Sequence, residues 1–243
     1  MSRLSNRIEN LAESATLAMA AKAREFKQRG IDVISLSLGE PDFKTPKHIQ
    51  EGAKQAIDEG KYFSYPPVNG YLDLREAISE KFEKENGLQY SPNQIVVSNG
   101  AKQSIANVMF ALLNPGDEVV VFSPFWVSYS AMIELAEGVP VYVQGTIEND
   151  FKATAAQLKE AITDKTKAVI FSSPCNPTGS VFTKDELVAI SEVVLNHDDI
   201  FVISDEIYEH INYTEAHCSI GSLPGMNERT ITVNGFAKGF AMT

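Results

Sequence analysis

The sequence predicts an α/β fold: a three-layer αβα sandwich with a mostly parallel mixed sheet, plus a partial small domain from the N-terminus. Short apolar runs alternate with amphipathic helical patterns, which is typical of a parallel sheet covered on both faces. At 243 residues with 44% hydrophobic content, the chain can bury one substantial core. The expected strands lie at about 94–98, 118–122, 139–144, 167–172, 200–204 and 229–233. The expected helices lie near 73–86, 101–113, 127–137, 155–162 and 183–195.

The N-terminal part is expected to be separate from this sandwich. A helical pattern around 14–29 predicts a helix that packs on the small domain or on a partner subunit. Residues 35–46, with Pro41 and Pro46, form the link into the large domain. The predicted division is therefore an N-terminal segment over 1–45 and a large domain over 46–243.

Composition excludes several classes of function. The net charge is −11 without a basic stripe, so no nucleic-acid partner is expected. Cys175 and Cys218 are too few for a disulfide framework, and the four histidines show no ligand spacing, so no metal site is predicted. The first residues lack the apolar core of a signal peptide and no run reaches membrane-spanning length. We expect no membrane partner and a cytoplasmic location.

The segment 94–104 predicts a strand, a turn at Gly100 and a helix. The helix has an apolar face formed by Ile105, Val108, Met109 and Leu112. Such a layout points backbone N–H groups and the positive end of the helix dipole at an anion, and a phosphate would fit there. Most turns of this kind bind nothing, so the alternative is an ordinary strand-to-helix connection.

The loop at 172–179 comes after the apolar run 168–171. Two prolines and a glycine fix a tight loop around Asn176, whose amide can donate to a phenolate-like oxygen. The alternative is a plain turn into the next helix, for which Thr183 and Glu186 predict a capping box.

An unbroken apolar run at 200–204 predicts a strand buried on both faces that ends at Asp205. Ligands of open α/β sheets bind at that edge, and a buried carboxylate there needs a cationic or proton-donating partner, which a pyridinium nitrogen would supply. Tyr208 could offer its hydroxyl to the same ligand. Glu206 and Glu209 are expected to face outward. The alternative is that Asp205 caps a helix.

Lys238 comes after the apolar strand near 229–233 and lies between Phe236 and Phe240. Apolar neighbours favour the neutral, nucleophilic form of an amine, which can form a Schiff base with an aldehyde. The alternative is a surface lysine in a loop.

These residues recur in the order and approximate spacing of one enzyme family. Seven segments carry the resemblance: Ser37-Leu-Gly-Glu-Pro-Asp-Phe43, Tyr65-Pro-Pro-Val-Asn-Gly70, Asn99-Gly-Ala-Lys-Gln103, Pro124-Phe-Trp-Val-Ser-Tyr129, Asn176-Pro-Thr-Gly179, Ser204-Asp-Glu-Ile-Tyr208 and Asn234-Gly-Phe-Ala-Lys238. Seven motifs in register are far more specific than any one alone. The whole chain resembles the class I aminotransferases of fold type I, in particular their aspartate aminotransferase branch.

The resemblance implies pyridoxal 5′-phosphate as cofactor and a large domain that binds it. Lys238 would hold the cofactor as an internal aldimine and act as the catalytic acid and base. Asp205 would keep the ring nitrogen protonated, and Asn176 and Tyr208 would contact the ring hydroxyl. Trp126 would stack on the ring. Further cofactor contacts would come from Gly100, Ala101 and Lys102 at the phosphate, and from Tyr65 of the neighbouring subunit in a homodimer with a shared active site.

Substrate contacts are implied by the same resemblance. Gly39 would offer its backbone to the α-carboxylate, with Trp126 and Asn176 bordering the substrate. Lys102 would favour a second carboxylate, although pairing with phosphate or solvent is an equal alternative.

The implied reaction is transfer of the amino group of aspartate, or a related amino acid, to 2-oxoglutarate in a ping-pong cycle. Two alternatives stay open: a β-eliminating lyase of the same fold, and an inactive cofactor-binding fragment. In the family the sequence continues with Gly-Trp-Arg and a C-terminal domain carrying a second arginine. Neither occurs here, so we expect an incomplete aminotransferase.

Overall fold

The structure is a computed structural model that describes residues 3–9, 11, 14–36, 39–214 and 216–243. Ser37 and Leu38, which begin the first family-like motif, lie outside the described residues. The helices are α1 Asn6–Glu9, α2 Ala15–Gln28, α3 Lys47–Asp58, α4 Leu72–Lys81, α5 Ala101–Leu112, α6 Ser128–Leu135, α7 Ala155–Ala161 and α8 Lys184–Leu195. The strands are β1 Glu118–Ser123, β2 Val139–Gln144, β3 Thr166–Ser172, β4 Phe201–Asp205 and β5 Thr230–Val233.

The five strands form one sheet in the order β2-β1-β3-β4-β5. All four pairings within the described residues are parallel. Ser172 lies opposite Asp205, and Asp205 lies opposite Val233. The carboxyl ends of β3, β4 and β5 therefore meet at one edge, where ligands of open parallel sheets bind.

Helices cover both faces of this sheet, which confirms the predicted α/β class. Side chains alternate between the faces along each strand. Val202 joins a core on the side of α7 and α8, with Leu158 and Leu187. Ile203 joins the core on the side of α5 and α6. The central strands β1, β3 and β4 are mostly apolar because both of their faces are buried, whereas the edge strand β2 is largely exposed.

Two local sequence predictions are confirmed. Ile105 and Met109 of α5 are buried, and Val108 and Leu112 pack beside them. Helix α8 begins with the predicted capping box. The Glu186 backbone N–H donates to the Thr183 hydroxyl, and the Thr183 backbone N–H donates to the Glu186 carboxylate.

The predicted strand at 94–98 is wrong. Pro92–Gln94 forms a 3₁₀ turn, and the chain then runs extended from Ile95 with a backbone bond from Val97 N to the Asn69 carbonyl. A strand needs a neighbour that supplies a ladder of hydrogen bonds, and no described strand lies beside this segment.

Two helical boundaries also differ from the sequence prediction. Helix α3, which begins after Pro46, was not predicted, although Ile49, Ala53 and Ile57 recur at helical spacing; none of its residues is buried in the single chain. The helix expected over 73–86 ends as α4 at Lys81 and continues as a π-helical turn over Phe82–Asn86. Gly87, with φ 66°, terminates it in the left-handed conformation that glycine adopts without strain.

The N-terminal helix α2 buries only Ala20. Leu17 and Met19 on the same helix are exposed, as are Ile34 and Leu36 beyond it. The division at residue 45 stays a prediction. Among the described residues, no helix combines the length and apolar character needed to span a bilayer.

Candidate active site

Asp205 is the last residue of β4 and is only 3% exposed. The Tyr129 hydroxyl donates to its Oδ2 at 2.5 Å, and the Ile207 backbone N–H donates to Oδ1 at 3.3 Å. Burial raises the pKa of Asp205 to about 6, against the opposing effect of these two donors. The carboxylate is thus a buried anion at the sheet edge that a cation would stabilise.

Lys238 lies five residues beyond the end of β5 and is half-buried. Its Nζ donates to the Gly39 carbonyl oxygen at 2.7 Å and lies 5.6 Å from the centre of the Tyr208 ring. The ammonium also lowers the pKa of Asp205, in opposition to the larger effect of burial. The predicted nucleophile and the predicted ring-nitrogen partner therefore share one electrostatic environment.

Asn176 and Tyr208 are also brought together. Nδ2 of Asn176 donates to the Tyr208 hydroxyl at 3.4 Å, and the Asn176 backbone N–H donates to Ser172 Oγ at 3.2 Å. Burial raises the pKa of Tyr208, so its phenol stays protonated at neutral pH. Two side-chain donors thus lie together, and the ring of one of them, Tyr208, faces the Lys238 amine.

The first turn of α5 is open. Gly100 precedes the helix with φ 81° and no side chain caps the helix end. Gly100 is exposed, and a Cβ built on it would meet no atom within 4 Å apart from its chain neighbours, so other parts of the chain do not crowd this position. This leaves the positive end of the helix dipole accessible to an anion.

Lys102 and Trp126 connect the first turn of α5 to Asp205. Nζ of Lys102 lies 5.0 Å from the centre of the Trp126 ring. Trp126 contacts Tyr129 edge-on, with ring centres 5.7 Å apart, and Tyr129 reaches Asp205. Tyr65 is fully exposed in the single chain and makes no hydrogen bond with these residues in the described ranges.

The expectation that Glu206 and Glu209 face outward is wrong. Glu206 is completely buried and Glu209 is 9% exposed. Glu206 accepts hydrogen bonds from Ser204 and Ser219 and lies 2.8 Å from His217 Nε2. The missed signal is the i, i+2 spacing of Ser204 and Glu206, which places both on one face of an extended chain. The backbone remains extended here because Glu206 N still bonds to the Val233 carbonyl at 2.8 Å.

Comparison with known proteins identifies the family. The family model described as aminotransferase class I and II matches residues 31–243. The chain belongs to the class I and II aminotransferases. The described site residues all lie within the matched range.

Similar aminotransferases share the whole length of the chain. It is 46% identical over 243 residues to a probable aspartate/prephenate aminotransferase of Thermus aquaticus, covering 100% of this chain and 62% of that relative. It is 48% identical to an aspartate aminotransferase of Bacillus sp. strain YM-2, covering 99% of this chain and 61% of the relative. The chain thus spans about three fifths of these relatives' length.

Solved aminotransferase structures have the same fold. The aspartate aminotransferase of Thermus thermophilus with maleate superposes with a TM-score of 0.95 at 45% identity, over 100% of this chain and 62% of that one. An aromatic aminotransferase of Pyrococcus horikoshii OT3 gives a TM-score of 0.84 at 50% identity, over 91% of this chain and 59% of that one. These enzymes differ in the substrates their names record, although they share the fold.

Proposed function

We propose that this chain is the cofactor-binding part of a pyridoxal-phosphate-dependent aminotransferase that moves the amino group of aspartate, or a related amino acid, to 2-oxoglutarate. The observation that carries the proposal is the joint placement of a buried carboxylate, Asp205, and an amine, Lys238, at one sheet edge. The names of the Thermus aquaticus and Bacillus relatives support aspartate as the amino donor.

Pyridoxal 5′-phosphate is the cofactor of this family, and the residues present fit each part of it. The buried Asp205 suits a cationic ring nitrogen, because an unpaired buried carboxylate is costly. The uncapped N-terminus of α5, with Gly100, Ala101 and Lys102, suits the phosphate. Lys238 suits the aldehyde, and the Asn176 and Tyr208 donors suit the ring hydroxyl.

When bound, this cofactor supplies an electron-accepting ring that withdraws charge from the substrate α-carbon. Lys238 Nζ would take the proton from that carbon and later return it, acting in turn as base and acid. Asp205 would hold the proton on the ring nitrogen, and Trp126 would cover the ring face. Asn176 and Tyr208 would stabilise the negative charge on the ring oxygen with their hydrogen bonds.

Substrate recognition is proposed to involve Gly39 at the α-carboxylate and Lys102 at a second carboxylate, with Trp126 and Asn176 beside them. Lys102 is exposed and its Nζ lies over the Trp126 ring. Its charge is therefore close to the proposed site and accessible to the second carboxylate of a substrate. The aromatic aminotransferase of Pyrococcus horikoshii favours a second candidate, an aromatic amino donor.

We propose a homodimer whose subunits share their active sites, in which Tyr65 reaches the phosphate of the neighbouring subunit. The exposure of Phe63, Tyr65 and Val68, which are close together in the chain, supports this, because a cluster of exposed hydrophobic side chains marks an interaction surface whereas a single one does not. We also propose a cytoplasmic location, supported by the two free thiols, Cys175 and Cys218.

The test is covalent trapping of the cofactor. The chain is mixed with pyridoxal 5′-phosphate, reduced with borohydride, digested and mapped, with and without prior addition of aspartate. We expect one labelled lysine, Lys238, and loss of the label when aspartate has first converted the cofactor to its amine form. Lys238→Ala should remove the label, while Lys165→Ala, at the opposite end of β3, should retain it.

The same samples distinguish the other candidate functions. Oxaloacetate with the pyridoxamine form supports amino transfer, whereas release of a leaving group with the aldehyde form retained indicates a lyase. If the amount of label on Lys238 stays the same after aspartate is added, the chain is a cofactor-binding fragment without turnover. Labelling on lysines other than Lys238 would contradict the proposed site.

A further inference from the structure

Tyr129 is completely buried, although it carries a polar group and lies beside the site. Its hydroxyl donates to Asp205 Oδ2 at 2.5 Å. Burial, reinforced by the neighbouring Asp205 charge, holds the pKa of the Tyr129 phenol well above its usual value. The phenol is therefore a permanent proton donor to that carboxylate.

The ring of Tyr129 makes a second set of contacts. It meets Trp126 edge-on with ring centres 5.7 Å apart, and it stacks on Phe125 at 6.4 Å. The backbone N–H of Tyr129 also donates to the Trp126 carbonyl at 2.9 Å, at the start of α6. One side chain thus touches Trp126 through its ring and Asp205 through its hydroxyl.

We propose that Tyr129 is a positioning residue, which fixes the Asp205 carboxylate and the Trp126 ring relative to each other before the cofactor enters. The inference rests on the proposed function, because Trp126 and Asp205 are the residues assigned to the ring face and ring nitrogen. Oδ2 is held by the short Tyr129 bond, and among the described residues Oδ1 accepts only the 3.3 Å hydrogen bond from Ile207 N, so Oδ1 is the oxygen available to a ring N–H.

Several other charged or titratable groups act on Asp205. Glu206 raises the pKa of Asp205 and Lys238 lowers it. Tyr208 lies close enough for the Asp205 charge to raise the pKa of the Tyr208 phenol. Cys175 and Ser172 act on Tyr129 from the adjoining loop. Burial has the largest effect and raises the pKa of Asp205. Among the groups that lower this pKa, the Tyr129 hydrogen bond has the largest effect. Removing this hydroxyl should therefore make Asp205 easier to protonate.

The test is a titration of Asp205 in the cofactor-free chain. Aspartate is labelled with ¹³C at the side-chain carboxyl, and the Asp205 signal is assigned by its loss in Asp205→Asn. Tyr129→Phe keeps the ring and removes the hydroxyl. Tyr142→Phe is the matched control, because Tyr142 also stacks on Phe125 but is half exposed.

We expect the titration midpoint of Asp205 in Tyr129→Phe to move upward by at least about one pH unit from the wild-type value, which is about 6. This lowers the ratio of ionised to protonated Asp205 at a given pH tenfold or more, the size expected for losing a hydrogen bond to a charged group. Tyr142→Phe should leave the midpoint unchanged. An unchanged midpoint in Tyr129→Phe, with a native near-ultraviolet spectrum, overturns the proposal.

A second measurement separates this inference from the proposed function. Trp126 is the chain's one tryptophan, so its fluorescence reports on the ring that Tyr129 contacts. Quenching by pyridoxal 5′-phosphate in the wild type tests whether the cofactor binds at Trp126 at all. Absence of quenching would contradict the proposed function while leaving the Asp205 titration interpretable on its own.

Discussion

Asn86 donates a hydrogen bond from Nδ2 to Glu209 Oε2, 2.6 Å away, across 123 positions of sequence. Lys81 contacts the other carboxylate oxygen of Glu209. Asn86 also reaches Ser219 at 3.3 Å, and Ser219 donates to Glu206. The π-helical turn after α4 is thus joined to the segment directly after the Asp205 carboxylate.

Removing the Lys81 charge should destabilise the chain. Burial pushes the pKa of Glu209 upward, but the Lys81 and Asn86 hydrogen bonds outweigh it and hold this pKa below its usual value. Lys81→Met leaves Glu209 charged, buried and short of a partner. Because Lys81 is 26% exposed, we expect a loss of about 2–3 kcal/mol of unfolding free energy in urea, below the cost of breaking a fully buried pair.

Lys84→Met is the matched control for that change. Lys84 pairs with Glu80 on the same helical segment, and both side chains are largely exposed. Exposed pairs of this kind contribute about 0–1 kcal/mol. Equal destabilisation by both substitutions would show that the Lys81–Glu209 pair has no special role.

The sequence can predict the positions that come after strands, because a buried strand has a local pattern. Asp205 and Lys238 are recognisable as polar residues after the apolar runs that form β4 and β5. The partners of these residues are not predictable in this way. Tyr129 precedes Asp205 by 76 positions, and no local pattern indicates that the two will meet.

The burial of Glu206 is also not predictable from local sequence alone, because two of its partners lie further along the chain. A carboxylate after a strand normally faces solvent, yet Glu206 finds partners in Ser219 and His217, 13 and 11 positions later, that make burial tolerable. The prediction for the segment 94–98 is wrong for a related reason. Its backbone is extended, but whether it counts as a strand depends on a neighbour elsewhere in the chain.

Asp205 should reduce the stability of the cofactor-free chain at neutral pH. Its pKa is raised from 3.8 to about 6, so between these values the folded chain binds this proton more readily than the unfolded chain. Linkage then requires stability to fall as pH rises through that interval, by about 3 kcal/mol in all. Asp205→Asn removes this cost.

We therefore expect cofactor-free Asp205→Asn to be more stable than wild type at pH 8, by up to about 3 kcal/mol, with the difference vanishing near pH 4. Urea unfolding across this range measures it. Asp117→Asn serves as a control for a carboxylate at the opposite end of the sheet, before β1. A wild type that gains stability relative to Asp205→Asn as pH rises would contradict the sign of this effect.

The position of Lys102 predicts how substrate choice should change. Its ammonium lies over the exposed side of the proposed site and is held by Trp126 rather than by an acidic partner among the described residues. A substrate with a second carboxylate would meet this charge, whereas an aromatic substrate would not. Lys102→Gln should lower kcat/KM for aspartate by about tenfold, equivalent to about 1.4 kcal/mol, and change that for phenylalanine by less than about twofold.

Salt provides the check that the loss is electrostatic. Raising ionic strength should weaken aspartate use by the wild type and leave Lys102→Gln nearly unaffected, because only the wild type has the charge to be screened. Lys165→Gln, remote from this edge, should behave as wild type in both tests. Equal losses for aspartate and phenylalanine would assign Lys102 to the cofactor phosphate instead, since a phosphate contact serves every substrate alike.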